Sequence, residues 1–228
     1  MERSDHLAMK EVLGFLTELE RNNNREWFAQ HKKEYQEVRR IFEDFIGKLI
    51  LQIGVFDNEI RGLTATGSIF RINRDTRFSN DKTPYKNNFG AHMSKGGKNG
   101  GEPGYYFHLQ PGDCFISGGI YMPSSEKLKA IRREIFNFPE DFKALVDDPW
   151  FKKNAGLFED DKLKRPPVGF PGDFELIDYL KYKHYCPFIQ LPDSMVGSSD
   201  LLEFTVDAYR KMKRFNDFIN RALEDLNP

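Results

Sequence analysis

The chain has 228 residues, with 34 Lys and Arg against 35 Asp and Glu, a formal net charge of −1. Charged residues make up 30% and hydrophobic residues 39%, the mean hydropathy is −0.63, and there are 21 Phe. These values exclude an extended basic coat for nucleic acid and a disordered chain, and no apolar run approaches the roughly 18 residues of a membrane span.

The start, Met1 to His6, lacks an apolar leader, and Cys114 and Cys186 are too few to staple a secreted scaffold. Both cysteines read as buried small hydrophobes, and a cytoplasmic protein without a membrane partner is expected.

Val12, Phe15, Leu16 and Leu19 recur at helical spacing and predict an amphipathic helix over Lys10–Arg21. Asn22-Asn23-Asn24 stops it, and Asn24 is placed to cap a second, long helix from Arg25 to about Ile53. Trp27 and Phe42 belong to the apolar stripe of that helix and are expected in the core. Strands are expected over Ser68–Asp75, Asn87–Ser94, Tyr105–Gln110 and Cys114–Met122, with Pro111-Gly112-Asp113 as a turn and the glycine-rich Lys95–Gly104 as a flexible hairpin tip. Helices follow from Ser124–Ser125, over Pro139–Val146 and, as a short turn, over Ile177–Leu180. Lys183–Gln190 reads as an edge strand because Pro187 interrupts it, and Ser198–Leu226 as a final helix. The expected architecture is one α+β domain over residues 1–228: a central antiparallel meander of about four strands, packed with helices from both ends of the chain.

The five histidines form no helical i, i+4 pair and there is no Cys-x-x-Cys, so no metal site is assigned and no cofactor is named. No nucleophile elbow or phosphate loop occurs. What stands out is residues 61–100, which hold eight basic residues and two acids in a chain of near-zero charge. Within it, Arg71, Arg74, Arg77, Lys82 and Lys86 crowd one strand and the loop after it. Guanidinium groups so close repel unless Asp75 and Asp81 pair with them or an outside anion sits among them. Alternation along the strands also places Arg71, His92, Ser94, Tyr106, His108 and Ser117 on the face opposite the apolar one, with Gly118 and Gly119 leaving space and Tyr121 alongside.

At these residues the chain resembles the mostly bacterial family known as domain of unknown function 2461. The likeness is carried by Asn22-Asn23-Asn24-Arg25-Glu26-Trp27-Phe28, by Phe70-Arg71-Ile72-Asn73-Arg74-Asp75, and by Arg77-Phe78-Ser79-Asn80-Asp81-Lys82-Thr83-Pro84-Tyr85-Lys86. It continues through Gly118-Gly119-Ile120-Tyr121-Met122-Pro123 and Leu163-Lys164-Arg165-Pro166-Pro167. The sequence departs at Gly172-Asp173-Phe174, where the family pattern is Asp-His-Pro-like. The resemblance implies a full-length domain and a bacterial setting, and no activity.

Three functions fit the residues. The first is a module, or an enzyme, for a phosphorylated or carboxylated small molecule. Arg71, Arg74, Arg77, Lys82, Lys86 and Tyr106 would bind it, His92 or His108 would act as general acid or base, and Asp75 would orient an arginine. The second is a nucleic-acid-binding protein, against which the net charge weighs. The third is a structural or partner-binding protein, with the Arg–Asp loop as an internal brace.

Overall fold

The computed structural model describes residues 5–159 and 161–226; the expectation about the start of the chain falls largely on Met1–Ser4, which lie outside the described residues. Helix α1 (Asp5–Arg21) buries Val12, Phe15, Leu16 and Leu19 as its spacing requires. The chain then turns into α2 (Arg25–Gln30), where Asn24 caps the helix by accepting the Trp27 amide hydrogen at 2.9 Å. The single long helix expected over Arg25–Ile53 is divided at His31, after which α3 (Lys32–Ile53) begins. His31 leaves helical geometry at φ −100° and ψ 17°, its Nδ1 lies 2.8 Å from the Trp27 carbonyl, and its ring stacks on Trp27 at 4.0 Å. Phe42 is fully buried; Trp27 is only half-buried, packed on the core's edge 5.8 Å from Phe15.

After the short α4 (Ala65–Ser68), Ser68–Asp75 does not form the expected strand. Ile69 and Ile72 are both buried although three residues apart, a spacing that strand alternation does not produce. The segment makes two isolated antiparallel bridges, Ile69 to Ala91 and Asn73 to Tyr85. Strands β1 (Phe89–Ser94), β2 (Gly104–Leu109) and β3 (Cys114–Gly119) form the antiparallel meander. Gln110–Asp113 closes the second hairpin, with Pro111 and a left-handed Gly112 (φ 73°) in type II turn positions. β3 stops short of the expected Met122 because Gly119 turns left-handed (φ 86°).

Three helices follow: α5 (Ser125–Asn137), capped by Ser124, α6 (Pro139–Val146) and α7 (Pro149–Asn154). The chain continues with β4 (Gly156–Leu157), α8 (Ile177–Leu180), β5 (Pro187–Leu191), α9 (Asp193–Val196) and α10 (Leu201–Leu223). The final helix starts three residues later than expected, and residues 224–226 tighten into a 3-10 turn. The sheet order is β1-β2-β3-β5-β4, so β5 is not at an edge: Pro187 is its first residue, where the missing amide costs no interior rung. The fold is thus α+β with a five-stranded antiparallel sheet.

One face of the sheet carries Phe89, Ala91, Met93, Tyr105, Phe107 and Ile116 into a core shared with α1, α3 and α10. A second apolar cluster joins α5, α6, α8 and the end of α10 around Ile131, Phe142 and Phe215. Among the described residues no helix is long and apolar enough to cross a membrane.

Candidate functional site

The other sheet face follows from register alone. His92 pairs with Tyr106, Tyr106 with Ser117, and His108 with Phe115, so these side chains share the side away from α10. They floor a cavity of about 550 Å³. Its walls come from elsewhere: Phe70 and Lys86 beyond the β1 edge, Lys98 and Glu102 from the hairpin tip, Tyr121 after β3, Phe158 just after β4 and Cys186 just before β5.

Glycines make room for this floor. A Cβ at Gly90 would lie 2.4 Å from the Tyr106 hydroxyl, and one at Gly104 would lie 3.0 Å from His92 Nε2. Gly118, expected to leave space here, leaves it on the opposite face, where a Cβ would meet Met212 of α10 at 3.1 Å. From beneath, buried Asn216 of α10 accepts the Gly119 amide hydrogen at 2.7 Å and donates to the Gly104 carbonyl at 3.1 Å. It ties the ends of β2 and β3 together.

The floor's polar atoms are mostly engaged. His108 Nδ1 lies 3.0 Å from the Tyr106 hydroxyl and 3.2 Å from Asn88 Nδ2, while its Nε2 lies 3.3 Å from Gln110 Oε1. With Asn88 and Tyr106 donating to Nδ1, the proton of the neutral ring sits on Nε2. The ring also stacks on Phe115 at 4.5 Å. Burial is the main cause that lowers the pKa of His108 and of His92. Burial likewise pushes the Tyr106 phenol up to about 12 and the Cys186 thiol up to about 12, so neither is anionic near neutral pH. Tyr121 stands at the mouth, stacked on His184 at 4.6 Å. The next residue, Met122, has a left-handed φ of 49° and donates its amide hydrogen to His184 Nδ1 at 3.1 Å.

The basic residues divide into two groups. Arg74 is paired with Asp81 and Thr83, and Arg77 donates from Nε and Nη2 to Asp75 at 2.9 and 2.6 Å. The Arg74 hydrogen bond holds the Asp81 carboxyl down at about 2. Lys82 donates to the Thr76 carbonyl at 3.0 Å. These three basic residues lie in the loop after the irregular segment; Arg74 also borders a polar cleft with Glu20, Asn23 and Asp81, which Lys86 lines as well. Asp75 therefore orients Arg77, away from the imidazoles.

Arg71 and Lys86 differ. Among the described residues Arg71 makes no hydrogen bond or ion pair. Lys86 reaches into the cavity wall with its nitrogen 5.6 Å from the centre of the Phe70 ring, and its pKa is lowered by burial and then by the charge of Arg71. Lys98, also at the wall, has one long contact, 3.4 Å to the Thr66 carbonyl. The cavity's carboxylate, Glu102, is neutralised by Lys127 at 2.6 Å. The cavity lining thus brings together Lys86, His92, Tyr106 and His108; Arg71 is outside that lining, with its charge felt by Lys86 and Asp75, and Asp75, Arg74, Arg77 and Lys82 are outside it too, Arg74 meeting Lys86 only in the neighbouring polar cleft. Phe115, Phe158 and Asn216 were not singled out from the sequence; Asn216, polar within an apolar helical stripe, was the one with a visible signal. Among the described residues no group of three or more His, Cys, Asp or Glu side chains converges as for a metal ion.

This geometry belongs to an α+β protein with a pocket on the open face of an antiparallel sheet. The chain belongs to the family of conserved hypothetical proteins DUF2461, whose model matches residues 11–218. No curated protein and no solved structure matches it.

Proposed function

We propose that the chain binds a small organic anion, phosphorylated or carboxylated, with its anionic group at Lys86 and Arg71 and its body in the sheet-face cavity. The observation that supports this is the division of the basic cluster: Arg74 and Arg77 are ion-paired to carboxylates, whereas Arg71, whose charge also reaches Asp75, and the half-buried Lys86 repel each other and neither makes an ion pair among the described residues. A bound anion relieves that repulsion and accepts hydrogen bonds from both groups. The cavity volume of about 550 Å³ falls in the range of roughly 300–1,000 Å³ usual for small-molecule sites. His92, kept neutral by burial and without the partners that occupy both ring nitrogens of His108, supplies a base at neutral pH should the ligand be transformed.

A thermal-shift screen of phosphate esters and carboxylates tests the proposal. A ligand at a hundredfold its Kd stabilises by about 2.7 kcal/mol, a midpoint rise of roughly 5–10 °C for a chain of this size. Lys86→Ala or Arg71→Ala should abolish the rise and Arg77→Ala should keep it. A rise that survives Lys86→Ala, or no rise with any anion, refutes the site.

A further inference from the structure

Resting on that anion site, we infer that the body of the ligand is a flat aromatic ring: the protein takes an aromatic acid or an aryl phosphate, and discriminates against sugar phosphates. The reason lies in which polar atoms of the cavity remain free. Each ring nitrogen of His108 already has a partner and the Ser117 hydroxyl lies 2.9 Å from the Pro187 carbonyl, which leaves the His92 ring and the Lys98 ammonium, with its one 3.4 Å contact, as the main polar groups still available. The amides and carbonyls of β2 are spent on its neighbours β1 and β3, and Glu102 is spent on Lys127. A polyol entering this space exchanges the hydrogen bonds its hydroxyls make to water for a few at most, an unfavourable transfer.

The walls offer what an aromatic ring needs. Phe70 meets Tyr106 edge-on at 6.4 Å, Tyr106 meets Phe115 at 5.7 Å, and Phe115 meets Phe158 at 5.9 Å. These rings form a continuous aromatic wall from the Lys86 side of the cavity to its far side. A guest ring extends that series by the same offset and edge contacts, and Lys86 beside Phe70 is positioned for the acidic substituent. A neutral aromatic molecule would gain the ring contacts and lose the charge contact.

Calorimetric titration of the full chain with four probes tests this: naphthyl phosphate, naphthoate, a hexose phosphate and naphthol. Naphthyl phosphate should bind at least about tenfold tighter than the hexose phosphate, which carries the same phosphate monoester, and about tenfold tighter than naphthol. Naphthoate should also bind more tightly than the hexose phosphate. Phe115→Leu should weaken naphthyl phosphate severalfold and leave any hexose phosphate binding unchanged. Equal affinity for the naphthyl and hexose phosphates, lost in Lys86→Ala, would overturn the aromatic preference and leave the anion site standing. Naphthol binding as tightly as naphthyl phosphate would overturn the role of the charge, and binding of none of the four would overturn both proposals. The comparison on the unaltered chain decides the matter even if Phe115→Leu fails to fold.

Discussion

The ammonium group of Lys86 rests 5.6 Å from the centre of the Phe70 ring, and the charge acting on it most plainly is that of another cation, Arg71. Three residues beyond Arg71, Arg74 is bound to Asp81, and Arg77 is bound to Asp75. The same stretch of chain therefore contains both a self-neutralised brace and a pair of cations that make no ion pair among the described residues, and the two behave oppositely on substitution.

For the brace, Arg74→Ala and Asp81→Asn should each lower the ligand-free melting midpoint, while Arg71→Ala should leave it unchanged or raise it by removing repulsion. The Asp81 effect has a pH signature. Its carboxyl is held at about 2 when folded, so the stabilisation is present above the ordinary carboxylate pKa and is lost as pH falls through the folded value. Melting curves of the unaltered chain and Asp81→Asn should converge toward pH 2; a constant gap would reject the pairing.

The half-buried histidines of the cavity floor, His92 and His108, predict a second pH dependence. Their folded pKa values lie below the ordinary one near 6.5, so as pH falls through about 6.5 the unfolded chain takes up protons that the folded chain refuses. Stability present above that point is lost on acidification toward the folded values. The double variant His92→Gln, His108→Gln should show a flatter dependence of melting midpoint on pH between about 8 and 5. Equal slopes would show that neither ring titrates differently on folding.

At the start of α2, the Asn24 side chain satisfies an otherwise orphaned amide. Asn24→Ala should cost about 1 kcal/mol in urea unfolding, and Asn24→Asp or Asn24→Ser should recover most of it. Loss of the same size in all three would assign the effect to something other than the cap.

Asn216 holds two backbone groups of the cavity's rim from below. Asn216→Leu leaves the Gly119 amide and the Gly104 carbonyl without those partners, at roughly 1–3 kcal/mol each. Hydrogen exchange at Gly119 should accelerate in that variant well beyond the average for β3. Protection unchanged at Gly119 would contradict the role assigned to Asn216.

Helices and the meander were legible because their signals are local. The stripe of α1, the Asn24 cap, the turn around Pro111 and Gly112, and the alternation of Tyr105, Phe107 and Leu109 each lie within a few residues. The convergence of His92, Tyr106 and His108 was legible too, because strand period and hairpin register place side chains with little freedom. The interruption at His31 was not, since it depends on a side-chain contact to Trp27 without any Pro or Gly as a marker. Alternation misled over Ser68–Asp75, where tertiary packing buries Ile69 and Ile72. The aromatic wall could not be seen because Phe70, Phe115 and Phe158 are brought together only by sheet order, with β5 inserted between β3 and β4. Nor could charge counting alone tell which arginines pair internally: Arg71 and Arg77 differ in partner, not in local composition.

The most direct measurement is of Lys86 itself. Its ammonium pKa can be followed by carbon-13 NMR of the lysine Cε, with and without saturating naphthyl phosphate. The free protein should give a value below the ordinary 10.5, with a rise in the Arg71→Ala variant and a rise on adding the anion. A free value at or above the ordinary one, or a Lys86 resonance that ignores the bound anion while another lysine responds, would contradict it.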